Sequence, residues 1–160
     1  MKARVFISCG QNSEEERQSA NDLSGQRDIL VLHGDIANGR LDRAAYNVIA
    51  QLFCIQNLDT GEEVPLNDRT LLKASGFVGY YHTIWPASHC AFDLFAISVS
   101  DPELIFLNSS LDVARRPIIS KAGTYRFVYR FIAEDFPILT KALIFSHTGK
   151  TLKPKLPVME

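Results

Sequence analysis

No apolar run in this 160-residue chain approaches the roughly 20 residues that a membrane-spanning helix needs. Neither sign of charge prevails either. The 17 Lys and Arg residues face 18 Asp and Glu, so the basic footprint of a nucleic-acid binder is missing. With 46% apolar and 22% charged residues the composition is that of a folded domain and not of a disordered chain. Cysteine is scarce. Cys9, Cys54 and Cys90 are odd in number and unevenly spaced, which suits neither a disulfide framework nor a zinc site, so all three are expected as free thiols. The opening Met1-Lys2-Ala3-Arg4-Val5-Phe6-Ile7-Ser8 has too short an apolar stretch for a secretory signal. These absences point to a cytoplasmic protein without a cofactor, whose partner is another protein or a second copy of itself, and not nucleic acid or a membrane.

Long helical patterns are missing as well. Beyond residue 57 the chain reads as short apolar runs broken by turn residues: Glu62 to Leu66, Leu71 to Phe77, Phe92 to Val99, Leu104 to Leu107, Thr124 to Ala133 and Lys141 to His147. Pro65, Pro86, Pro102, Pro117 and Pro137 fall between or beside them. That spacing favours a sandwich or barrel over alternating strands and helices. Upstream, Arg4 to Ser8 and Asp28 to His33 read as strands. Ser13-Glu14-Glu15-Glu16 has the spacing of a capping box and predicts a short helix ending at Ser24-Gly25.

Leu41 to Asn57 is ambiguous. Ala45, Val48, Ile49, Leu52 and Phe53 share a helical face, whereas Tyr46, Val48, Leu52 and Cys54 share a strand face. β-Branched and aromatic content, and the turn signal Asn57-Leu58-Asp59-Thr60-Gly61, favour a strand from about Val48 to Gln56. The organisation expected is a strand-helix leader over 1–27, a β-sandwich domain over 28–150 and an extended tail over 151–160.

The most informative stretch is Lys121 to Phe131. On a strand, Tyr125, Phe127, Tyr129 and Phe131 occupy one face and Arg126, Val128 and Arg130 the other. Gly123-Thr124-Tyr125-Arg126-Phe127 resembles the tyrosine corner of immunoglobulin-like domains, in which the tyrosine hydroxyl bonds back to upstream backbone. Phe127 stands where such domains carry a cysteine. More loosely, Val48 to Gly149 resembles bacterial immunoglobulin-like accessory domains through Trp85-Pro86, Phe92-Asp93-Leu94-Phe95 and Gly123-Thr124-Tyr125. The resemblance implies a mainly β fold, an immunoglobulin-like antiparallel β-sandwich, and a role without catalysis.

Several groups of residues could carry chemistry or contacts. Tyr80, Tyr81, His82 and Trp85 gather aromatic surface near His89 and Cys90. Adjacent His89 and Cys90 would point to opposite faces of a strand, which disfavours both a metal site and a thiol-imidazole pair. Trp85 either caps the core or forms an exposed contact surface with its neighbours. Arg126 and Arg130 offer a small basic patch, offset by Glu134 and Asp135. His33-Gly34-Asp35 after a strand resembles the Gly-Asp element of metallophosphatases, but Asn38 stands where an acid is required and no Gly-Asn-His element follows. A polar turn, with Asp35 bonding local backbone, is the reading adopted.

Phe6 to Glu16 resembles the opening of TIR-related proteins and nucleoside deoxyribosyltransferases. That resemblance implies a nucleotide site on Ser8, Cys9, Gly10, Gln11 and Glu16. It requires a helix over Leu41 to Phe53. The preferred expectation is a non-catalytic protein-binding module with Tyr80, Tyr81, His82, Trp85, Arg126 and Arg130 as contact residues. The alternative is a small nucleoside-processing enzyme.

Overall fold

A computed structural model describes residues 2–4, 17–22, 25–66, 71–72, 81–98, 105–106, 117–147 and 158–159. These residues are mainly β, and they contain no helix, hence none long and apolar enough to cross a membrane. Eleven strands are present among them: β1 Lys2–Arg4, β2 Arg17–Asp22, β3 Gly25–Ala37, β4 Ala45–Asn57, β5 His82–Ile84, β6 His89–Ser98, β7 Ile105–Phe106, β8 Pro117–Ile119, β9 Gly123–Ile132, β10 Leu139–His147 and β11 Val158–Met159. They form two antiparallel sheets. The first has the order β1-β3-β6-β7-β8, with β2 also on β3, and the second β11-β10-β9-β4-β5.

The alternating faces of β9 hold the two sheets together. Tyr125, Phe127, Tyr129 and Phe131 are all buried, as the period of two predicts. Phe127 stacks on Phe95 of β6 with centroids 5.0 Å apart, and Phe92 of β6 lies 6.1 Å from Phe131. Leu32, Ile36, Leu52, Ile55, Leu143 and Phe145 complete the same core. Packing thus joins the two sheets at Phe127, the position where the sequence resemblance places a cysteine. The Tyr125 hydroxyl donates to the carbonyl of Lys121 at 2.9 Å, the bond that the Gly-x-Tyr order predicts.

Three expectations are corrected. The helix drawn to Ser24 is replaced over Arg17–Asp22 by β2, which pairs with β3 up to Asp22 opposite Gly25. Glu16 to Leu23 has almost no apolar stripe for a helix to bury, whereas the ladder on β3 satisfies the backbone directly. Residues 13–16 lie outside the described residues. His33-Gly34-Asp35 is not a turn, because β3 runs on to Ala37. Gly34 serves a close approach: a Cβ there would stand 2.9 Å from a methyl carbon of Leu94, the extra residue in β6 where the register shifts between Leu32 and His33. Asp35, opposite Ala91, meets His89 diagonally across the sheet, Nδ1 to Oδ1 3.4 Å, instead of bonding its own turn.

The ambiguous stretch is β4, and its irregularities explain the ambiguity. The register shifts between Ala45 and Val48, where Asn47 adopts φ 50°, and again between Leu52 and Cys54. Each extra residue lengthens the spacing of inward positions to three, so Ala45, Val48, Leu52 and Ile55 imitate a helical period. The helix over Leu41 to Phe53 that the nucleoside-processing alternative needs is therefore absent.

Candidate functional site

At one end of the second sheet, loop 38–44, turn 85–88 and turn 133–138 meet. Asn38 organises them. It is 1% exposed, its Nδ2 donates to the carbonyls of Arg43 (2.9 Å) and Ile84 (3.0 Å), and its Oδ1 accepts the Arg40 N–H (3.0 Å). Its own N–H donates to the Ser88 carbonyl, and the Ala87 N–H donates to that of Arg40. Trp85 to Ser88 closes a four-residue turn with Pro86 second and Ala87 third at φ 55°, the backbone of a type II turn. From the other side, the Glu134 N–H donates to the Tyr46 carbonyl, Asn47 Nδ2 donates to Glu134 Oε1, and the Arg43 guanidinium lies 4.5 Å over the Phe136 ring.

This frame presents aromatic rings to solvent. Trp85 is 60% exposed and Tyr46 50%, and their rings meet edge to face at 6.4 Å and 80°. Leu41, next to the Arg40 anchor, is more exposed still. Large rings fixed in advance supply contact area at little further cost in conformational entropy, and Trp and Tyr are enriched among residues that dominate protein interfaces for that reason.

The structure divides the residues singled out from sequence. Tyr81 is exposed just before β5, whereas His82 turns inward and meets Phe92 edge-on at 5.8 Å. Trp85 does not cap the core. Arg126 and Arg130 do share the outer face of β9, opposite Gln56 and Gln51, and Arg130 lies 3.5 Å over the ring of half-exposed Phe53. That stacking, and the bond of Glu134 to Asn47, replace the expected offset of the arginines by Glu134. β4 separates the two groups, since Val48 pairs with His82 on one edge and Gln51 with Arg130 on the other. Tyr80, Ser8, Cys9, Gly10, Gln11 and Glu16 lie outside the described residues.

Sequence reasoning missed Asn38, Tyr46 and Phe53 as parts of these surfaces. It also missed the partner of Asp93, a carboxylate with no exposed surface inside the apolar run of β6, whose Oδ1 lies 2.9 Å from His33 Nδ1. An acid amid Phe92, Leu94 and Phe95 signals a required partner, but only the register across the bulge identifies it. Among the described residues no group of His, Cys, Asp and Glu could hold a metal ion. Burial and then Asp35 push the Cys90 thiol up to about 11, and burial with Glu63 raises that of Cys54, so both are protonated at neutral pH and poor nucleophiles. Comparison with protein-family models, curated proteins and solved structures finds no match to the chain.

Proposed function

We propose that this chain is a non-catalytic protein-binding module that acts by contact in the cytoplasm, with the Trp85 and Tyr46 end as its docking surface. The observation that carries the reading is the half-exposed ring pair mounted on a frame whose polar groups are already satisfied. An immunoglobulin-like sandwich is the corresponding fold. It is supported by the neighbouring strands β4, β9 and β10, with a tyrosine corner at the start of the central one, the arrangement of strands C, F and G in that type. The first sheet is a variant of it: β7 follows β6 in the chain, whereas the outermost strand of the A-B-E-D sheet precedes its neighbour.

The test is in-cell crosslinking of the wild type and of Tyr46→Ala/Trp85→Ala. The double variant is expected to lose the crosslinked partner while its stability stays within about 0.5 kcal/mol of wild type, as for other exposed positions. Retention of the partner overturns the surface. Turnover of nicotinamide dinucleotide, nucleotides or a phosphodiester by the wild type overturns the absence of catalysis.

A further inference from the structure

At the far end of the second sheet the chain makes a short return beside β4. Gln56 and Glu63 form an isolated antiparallel bridge, flanked by the bonds Asn57 N–H to Glu62 carbonyl and Val64 N–H to Ile55 carbonyl, both 2.8 Å. In a bridge of that kind the two central residues aim their own N–H and C=O groups away from each other. Those of Glu63 therefore point off the sheet, where no backbone group among the described residues meets them. Beside them lies a groove of about 310 Å³ between this return and β8, the last strand of the first sheet. Val64 and Ile118, both half-buried, form its apolar floor, with Glu62 and Glu63 on one rim and Lys121 on the other.

The walls are fixed before anything binds. Asn57 Oδ1 accepts the Asp59 and Thr60 N–H groups, Asp59 Oδ2 accepts the Thr124 N–H, and the tyrosine corner holds the Lys121 carbonyl. Glu62 and Glu63 outnumber Lys121, so the groove favours a cation. Pro65 has no N–H to donate, which confines pairing on this edge to a single residue. Side-chain contacts must then supply most of the selectivity.

We infer that this edge takes an extended, basic segment of a partner protein by antiparallel strand addition at Glu63, with a Lys or Arg directly opposite Glu63, the apolar residue before it over Val64 and Ile118, and a second Lys or Arg after it facing Glu62. A second copy is a poor occupant, because a two-fold pairing at this edge sets the glutamates of one chain against those of the other. The surface is distinct from the Trp85 end, and the inference does not rest on the function proposed for that end.

The test titrates the ¹⁵N-labelled full chain with a capped Thr-Val-Lys-Lys-Thr peptide, with Thr-Val-Glu-Glu-Thr, and with the lysine peptide N-methylated at its first lysine. The lysine peptide is expected to shift the Glu63 amide resonance saturably. The other two peptides should bind about tenfold more weakly or worse. Glu62→Lys/Glu63→Lys, checked for an unchanged unfolding midpoint, should reverse the preference to the glutamate peptide. Absence of a saturable Glu63 shift, or equal binding of all three peptides, overturns the inference. A Glu63 shift that depends on protein concentration alone, with a dimer in sedimentation, overturns the choice of occupant in favour of a second copy.

Discussion

At one end of the second sheet an asparagine, Asn38, is sealed from water and holds three backbone groups, while at the other Asn57 is half-buried and holds two N–H groups of an open turn. The rings at the two ends differ in the opposite sense. Near Asn38, Tyr46 and Trp85 stand in solvent; near Asn57, Tyr125 is buried and its hydroxyl is occupied by Lys121. An end pinned by a small buried amide leaves its aromatic residues available for contact. An end pinned by a tyrosine has used its ring, and what remains at the surface is backbone edge and charge.

That contrast can be broken most directly at its strongest point. Asn38→Ala strands two carbonyls and an N–H in a buried setting and is expected to cost about 3 kcal/mol, measured by urea unfolding followed by circular dichroism. At the other end Tyr125→Phe removes one bond to a single carbonyl, for an expected loss of about 1.5 kcal/mol. If the tyrosine substitution proves the more damaging, the assignment of the two pins is reversed. The smallest effect sharpens the picture of the Trp85 frame. Ala87 holds φ 55° in a turn position that suits glycine, so Ala87→Gly should raise stability by about 1 kcal/mol. A loss instead would mean that the Ala87 methyl packs usefully against the loop.

Much of the β pattern was legible because apolar runs of strand length, bounded by turn residues, mark it. Thr124 to Ala133, Lys141 to His147 and Phe92 to Val99 correspond to β9, β10 and β6 within a few residues, and the aromatic face of β9 needed no more than its period. Short strands that exist through pairing alone left little trace: β5 and β8 have three residues each, and β2 carries the polar sequence Arg17-Gln18-Ser19-Ala20-Asn21-Asp22. The contact surface was half visible. Trp85 and Tyr81 stand out by residue type, but Tyr46 joins Trp85 only through the pairing of Ala45 with Ile84. His33 and Asp93 are 60 residues apart, and a bulge sets their register, so local pattern could not bring them together.

Trp85 is also the sole tryptophan of the chain, which gives its position a spectroscopic consequence. Its indole already stands largely in water in the native fold, so its emission starts close to that of the unfolded protein, and loss of the core changes its surroundings little. Covering the ring is the event that changes them. The intrinsic fluorescence of this protein is therefore a poor thermometer of folding and a sensitive gauge of whether its aromatic end is occupied.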